Sequence, residues 1–251
     1  MKQKIVDFYN SLDQFNKVSL ILIIIITIIL ILWSIISIII QFINPTNKCI
    51  QFKKVESLQL FENSKNAQQF QIIKNNKLLS KLSNGEYTFS IWLYIDQWYN
   101  TNKTNKWKHI FHMGSIVKNN SKTIDLNWNT LSYQTPGIWL LPNINNIRLV
   151  FTTERKQPYM NSKIIELEYC DLENVEIKNW FNISFTVEAN ILDIYYNGKL
   201  KKSKILNGVP RINKNVLYVS YNKGFPGLMK KLEIIPKKVN PNVINRIYQL
   251  Q

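Results

Sequence analysis

The sequence predicts an all-β protein: an antiparallel sandwich with an apolar helix near its N-terminus and a short helix at its C-terminus. Three observations predict it. From Gly85 onward the chain reads as about nine short apolar or alternating runs, broken by turn residues every 8–15 positions or so. Asn197-Gly198 sits between Tyr195-Tyr196 and Lys199-Leu200, the pair a two-residue type I′ hairpin needs, because both central residues take positive φ. Val18 to Ile43 runs for 26 residues without a charge.

That apolar run is read as a transmembrane helix. At 1.5 Å per residue it is about 39 Å long, enough for a hydrocarbon core of about 30 Å with some tilt. A cleaved signal would have a shorter apolar region and a small-residue cleavage site. Here Asn44-Pro45-Thr46-Asn47-Lys48 follows instead. Lys2, Lys4 and Lys17 on one flank balance Lys48, Lys53 and Lys54 on the other, so the positive-inside rule gives at most a slight preference for a cytosolic tail. The expected organisation is a tail over 1–17, the transmembrane helix over 18–43, a stalk with one peripheral strand over 44–83, and the sandwich over 84–251.

The strand candidates are Tyr87–Ile95, Trp107–His112, Gly137–Leu141, Ile147–Thr152, Lys163–Tyr169, Phe181–Val187, Ile191–Tyr196, Val216–Tyr221 and Leu228–Ile235. In the first, Tyr87, Phe89, Ile91, Leu93 and Ile95 share one face. In the sixth, Phe181, Ile183, Phe185 and Val187 alternate with Asn182, Ser184 and Thr186, the pattern of a sheet with one buried face. The closing helix has Asn240 to cap it, Pro241 in its first turn, and Val243, Ile244, Ile247 and Tyr248 on one side.

Composition excludes several classes. Seven Trp, twelve Tyr and twelve Phe, in a chain 45% hydrophobic, exclude disorder. Two cysteines exclude a disulfide scaffold and every four-thiolate metal site; Cys49 and Cys170 are read as free thiols, with a pair forming only in an oxidising compartment. There are seven glycines and no Gly-rich phosphate loop, and two histidines leave little for acid–base work. His109 and His112 are three apart, which on a regular strand puts them on opposite faces. The formal charge is +16, nearly all of it after the apolar run, although an Asn-, Ile- and Lys-rich composition also points to an AT-rich coding sequence. The sequons at Asn102, Asn119 and Asn182 are no more than chance supplies in so Asn-rich a chain.

The order and type of several segments resemble the laminin-G/concanavalin A-like sandwich family. They are Tyr87-Thr-Phe-Ser-Ile-Trp-Leu-Tyr-Ile95, Trp107-Lys-His-Ile-Phe-His112, Pro136-Gly-Ile-Trp-Leu140 and Asn146-Ile-Arg-Leu-Val150, followed by Trp180-Phe-Asn-Ile-Ser184, Leu192-Asp-Ile-Tyr-Tyr-Asn-Gly-Lys199 and Gly224-Phe-Pro-Gly-Leu228. The resemblance covers about residues 84–250 and implies a jelly-roll type antiparallel sandwich. With one N-terminal span, the chain resembles laminin-G-like membrane proteins of large DNA viruses, which implies a virion internal membrane and a minor capsid role. The family binds glycans or proteins, and some members hold calcium. Calcium wants six to eight oxygens, and the rim candidates Gln97–Asn105 and Lys118–Lys122 are basic and amide-rich, so no metal and no cofactor are expected.

One run offers catalysis. Glu166-Leu-Glu168-Tyr-Cys-Asp171 loosely resembles the E-x-D-x-x-E strand of retaining glycosidases with this fold, whose carboxylates stand about 5–5.5 Å apart. Glu168 and Asp171 depart from that pattern, and alternating charge on a solvated strand explains the run as well, so the chain is read as non-enzymatic.

Binding is the favoured reading. Trp98, Tyr99 and Trp128 lie in loop-like text where they can stack on a sugar or anchor a protein; Trp107 and Trp139 are assigned to the core. Lys199, Lys201, Lys202 and Lys204, with Lys230, Lys231, Lys237 and Lys238, are expected to merge into one basic patch for an acidic protein surface, such as a capsid protein, or for anionic head groups. Nucleic acid is set aside for want of a recognition helix or stacking platform. The expected function is thus a single-pass membrane protein presenting a basic sandwich to protein partners. The alternatives are an anchored lectin and, more distantly, a glycosidase.

Overall fold

A computed structural model describes residues 9–43, 56–74, 77–98, 106–116, 127–157, 162–212 and 216–250. The chain divides into two units, 1–55 and 56–251.

In the first unit, helix α1 spans Gln14–Ile43. It begins four residues before the apolar run, because Asp13 Oδ1 accepts the amide of Asn16 at 2.8 Å and caps the polar first turn. Residues Gln14–Ser37 are long and apolar enough to cross a membrane, and none of that stretch is buried against protein. Two of its hydroxyls bond within the helix: Thr27 donates to the Ile24 carbonyl and Ser34 to the Ile31 carbonyl, both at 2.8 Å. Neither is left needing water.

The second unit is a sandwich of two antiparallel sheets. The strands are β1 (Leu58–Leu60), β2 (Lys65–Asn66), β3 (Gln71–Ile73), β4 (Glu86–Ile95), β5 (Lys108–Gly114), β6 (Gln134–Leu140), β7 (Ile147–Lys156), β8 (Lys163–Leu172), β9 (Trp180–Glu188), β10 (Ile191–Tyr196), β11 (Lys199–Ile205), β12 (Val209–Pro210), β13 (Leu217–Val219) and β14 (Gly227–Ile235). Helix α2 is Lys77–Ser80 and α3 is Pro241–Gln249. Sheet 1 has the order β1-β14-β4-β9-β10-β11, with β2 also on β14; sheet 2 has the order β12-β7-β6-β5-β13-β3, with β8 on the other edge of β7.

All nine expected strands are present, and the Asn197-Gly198 turn has positive φ at both residues, 48° and 75°. Two expectations are revised. Residues 58–73 are not a stalk: β1 and β2 pair with β14, and β3 pairs with β13, so both sheets take strands from before residue 84. These strands are two or three residues long, too short for alternation to reveal. The Lys199-Leu200 arm of the hairpin extends to Ile205 as lysine-rich β11, whose length is hidden in the sequence because an edge strand with a mostly exposed surface has no apolar face to show.

The core forms where the expected apolar faces meet. Tyr87, Phe89, Ile91, Leu93 and Ile95 of β4 and Phe181, Ile183, Phe185 and Val187 of β9 point inward against Phe111, Ile138, Leu140, Leu149 and Phe151 of sheet 2. The opposite face of β4 and β9 is also buried, contrary to the one-sided pattern: Thr88, Ser90, Asn182, Ser184 and Thr186 are all at most 1% exposed. The C-terminal segment covers it. Thr88 Oγ1 donates to the Lys237 carbonyl at 2.9 Å, and Trp92 stacks on Tyr248 of α3 at 5.4 Å. Asn240 Oδ1 caps α3 by accepting the Val243 amide at 3.0 Å.

The hairpin gives the first prediction. A Cβ on Gly198 would lie 3.0 Å from Tyr248 Cβ, at a φ that L residues rarely adopt. Gly198→Val should therefore lower unfolding stability by about 1–3 kcal/mol, with a smaller loss for Gly198→Asn, measured by urea denaturation. Equal stabilities would contradict the turn.

Candidate binding surfaces

The sequence-chosen contact residues do not form one site. Trp98 is buried at 3% exposure; its Nε1 donates to the Leu141 carbonyl at 2.9 Å, and the Lys108 ammonium donates to its own carbonyl. It is a structural tryptophan, not a ligand contact. Tyr99 lies outside the described residues, as does Cys49, the candidate partner of the buried Cys170.

The single basic patch is likewise corrected. Lys199, Lys201, Lys202 and Lys204 are on β11 and Lys230 and Lys231 on β14, with β4, β9 and β10 between them. Several are engaged. Lys202 donates to the Asp171 carbonyl at 3.1 Å, Lys204 to the Tyr169 carbonyl at 2.6 Å, and Lys231 to the Leu250 carbonyl at 2.9 Å. Lys230 lies over Trp180 at 4.7 Å. Lys238 pairs with Glu188 at 2.6 Å, and this hydrogen bond raises its pKa. Lys199, Lys201 and Lys237 remain exposed.

A second cationic group lies where β7 and β8 run alongside each other. In-register pairs there include Arg155 with Ile164 and Lys156 with Lys163. Arg211 arrives from beyond β12. Arg155, Lys156, Lys163 and Arg211 line an open cleft of about 750 Å³, whose other walls include Asn190, Asn207 and Gly208. Four cations face one lining carboxylate, Glu154, which pairs with both Lys163 and Arg211. The hydrogen bond from Lys163, helped by Arg211, holds the Glu154 carboxyl below its ordinary range. Arg155 reaches Glu166 at 3.4 Å. Lys156 has no ion-pair partner among the described residues. Sequence reasoning missed this group, although basic residues at the end of β7 and the start of β8 were a usable signal.

A second surface lies on the outer face of sheet 2. Arg148 of β7 makes a bidentate pair with Asp171 of β8, both bonds 2.7 Å. Its guanidinium sits 3.7 Å from the Tyr169 ring, 4.9 Å from Trp128 and 5.1 Å from Trp107. Trp107 and Trp128 are half-buried and Tyr169 is 40% exposed. Of the sequence-chosen aromatics, Trp128 alone lies in an accessible group among the described residues.

The carboxylates of the 166–171 run are divided between the two faces of the same strand. Asp171 faces outward onto Arg148, whereas Glu168 faces inward and is 7% exposed. Glu168 accepts from Thr153 Oγ1 at 2.7 Å and from the amides of Asn207 and Gly208 at 2.9 and 3.1 Å. It fixes the turn that forms one wall of the cleft. Among the described residues no three metal-ligating side chains cluster.

The sequence profile described as the Concanavalin A-like lectin/glucanases superfamily matches residues 65–245. Among solved structures, the receptor binding domain of botulinum neurotoxin C/D mosaic serotype superposes with a TM-score of 0.52 at 14% identity, covering 80% of this chain and 48% of that one. The binding domain of botulinum neurotoxin serotype D gives 0.52 at 13% identity, with the same coverages. The chain thus spans about half the length of these structures, and such identities show the fold alone. Comparison with curated proteins gave no match.

The role of Glu168 is testable by stability. Glu168→Ala leaves two turn amides without their acceptor and should cost at least about 2 kcal/mol in urea denaturation, whereas the partly exposed Glu166→Ala should cost under about 1 kcal/mol. Similar losses would remove the structural assignment.

Proposed function

Because the chain belongs to the concanavalin A-like lectin/glucanases superfamily, a carbohydrate- or protein-binding fold, we propose that it is a non-enzymatic, membrane-anchored interaction protein that holds an acidic protein partner in the basic cleft. The observation that carries this reading is the convergence of Arg155, Lys156, Lys163 and Arg211 on one open concavity. Single exposed ion pairs contribute little to affinity, so the cleft acts chiefly by steering. A concentrated positive surface raises the association rate of an acidic partner, and salt weakens it as the Debye length falls from about 10 Å at 0.1 M to about 3 Å at 1 M. The engagement of Glu168 and Asp171 in structural bonds supports a binding role over hydrolysis.

The anchor we propose is α1. Its length, its charge-free apolar run from Val18 to Ile43 and the internal bonding of Thr27 and Ser34 all suit a hydrocarbon environment. The setting we propose is a virus particle in which the anchored domain joins an internal membrane to capsid protein; the supports are the resemblance of the sandwich segments to viral laminin-G-like proteins and a membrane-length helix N-terminal to them in the sequence. A lectin reading has its own support in the accessible Trp107, Trp128 and Tyr169 beside Arg148, which offer faces for sugar rings.

Two predictions follow from these proposals. Full-length protein should remain with membranes through alkaline carbonate washing; release would remove the anchor. In neutral detergent, Lys156→Glu combined with Arg211→Glu should weaken binding of a polyglutamate probe at 0.1 M salt by about tenfold or more, while Lys199→Glu combined with Lys201→Glu on β11 should have little effect. Equal losses from both pairs would disperse the site over the surface. Retained probe binding, with loss of neutral-glycan binding on Trp128→Ala, would favour the lectin.

A further inference from the structure

His109 and His112 share one face of β5 despite their odd spacing. The register of β5 against β6 shifts between His109 and Phe111, and this bulge at Ile110 turns both rings to the outer face of sheet 2. His109 Nε2 lies 2.6 Å from His112 Nδ1, with the rings at 82°. Both residues are at most 1% exposed.

All four ring nitrogens have a defined partner. The Tyr221 amide donates to His109 Nδ1 at 2.9 Å, which makes that nitrogen an acceptor and places the proton of the neutral ring on Nε2. That proton is donated to His112 Nδ1. His112 then carries its own proton on Nε2, which faces the Ser115 carbonyl at 3.1 Å. One arrangement of protons satisfies the chain, and in it both rings are neutral.

An added proton has one consequence wherever it enters. On His109 it occupies Nδ1 and opposes the Tyr221 amide directly. On His112 it occupies Nδ1, so His112 becomes the donor between the rings and the proton of His109 is driven to its own Nδ1. Either way the hydrogen bond to Tyr221 is lost. That bond holds an unusual turn: Ser220, Asn222 and Lys223 have φ of 55°, 52° and 67°, and Gly224 has 49°. Such non-glycine conformations persist only where their surroundings enforce them. The turn is also held by the Ser220 amide on the Ile110 carbonyl at 2.9 Å, and Tyr221 packs on Phe70 with ring centroids 5.5 Å apart.

We propose that His109 and His112 form a proton-operated latch that keeps the 220–224 turn closed near neutral pH and releases it in mildly acidic surroundings, freeing the Tyr221 and Phe70 rings. The groups facing the pair are Trp139 and Gly137 of β6, Tyr218 of β13, stacked on His112 at 4.9 Å, and Tyr221 of the turn, which also carries Lys223. Lys108 on the same strand directs its ammonium to the Trp98 carbonyl. No carboxylate among the described residues contacts either ring, so nothing there would hold an imidazolium. Burial pushes His112 down to about 4, and burial with the neighbouring His112 holds His109 well below the ordinary imidazole range. The closed turn refuses a proton that the open turn accepts near 6.5. Closure is therefore complete above about pH 6.5 and weakens as pH falls towards about 4.

The test is amide hydrogen exchange of the full-length protein in neutral detergent, corrected for intrinsic pH dependence. Protection of residues 220–225 should fall about tenfold per pH unit between pH 6 and 4, while the central strand 181–188 stays protected. His109→Asn supplies Tyr221 with an acceptor that takes no proton, and should clearly flatten the pH dependence of protection over that range, leaving only the share that His112 contributes. Independently, the chain has only two histidines, so their imidazole NMR signals report uptake in the unmodified protein even if that variant fails to fold. Unchanged protection to pH 4, loss of protection in both segments together, or imidazoles that titrate freely near 6.5 while the turn is closed would each overturn the latch.

Discussion

The structure depends on a stack of three phenylalanines. Phe89 of β4 lies between Phe185 of β9, 5.2 Å away and nearly parallel, and Phe111 of β5, 5.7 Å away. Phe89 and Phe185 are also cross-strand partners, and Phe151 closes on Phe185 edge-on at 6.0 Å. The stack therefore sets strand register within sheet 1 and joins sheet 1 to sheet 2. A one-residue slip of β4 would present Thr88, Ser90 and Trp92 to the interior in place of Tyr87, Phe89 and Ile91. Every other feature is arranged around that register.

Its first consequence is the second buried face of sheet 1. With the aromatic residues inward, β4 and β9 carry Ser90, Asn182 and Ser184 outward under the C-terminal segment. Their buried polar atoms must be paired. Asn182 Nδ2 donates to Ser90 Oγ at 2.9 Å and to the Ile91 carbonyl, while Ser184 Oγ bonds both Ser90 Oγ and Asn182 Oδ1. Asn182 is fully buried in this layer, so the third sequon is a structural amide in the folded domain. The C-terminal α3 seals it through Tyr248 on Trp92.

Its second consequence is the distribution of charge. Two stacked sheets leave edges with unpaired carbonyls, a liability that proteins blunt with lysine. Here Lys202 and Lys204, from the edge of sheet 1, reach the carbonyls of β8 at the edge of sheet 2. These cations close the sandwich as well as charging its surface. The concave concentration of charge instead arises where β7 and β8 run alongside each other and Arg211 returns beside them. The basic cleft and the Arg148 aromatic group are thus products of long neighbouring strands.

Alternation and turn chemistry are local properties, and the sequence by itself determined what depends on them. It specified the nine main strands, the inward faces of β4 and β9, the Asn197-Gly198 hairpin, the Asn240-capped helix and one membrane-length apolar segment. Tertiary structure decided which strands lie side by side, and so which charges meet. Lys199 and Lys230, close in kind and in chain position, are separated by three strands, whereas Arg155 and Arg211, far apart in sequence, line one cleft. It also decided the directions that strict alternation misjudges. A bulge at Ile110 turned two histidines to one face, and burial by the last helix made a hydrogen-bonded interior of residues that read as solvent-facing. The physical reason is common to all of these: pairing partners and register shifts are set by packing between distant segments, which local periodicity does not encode.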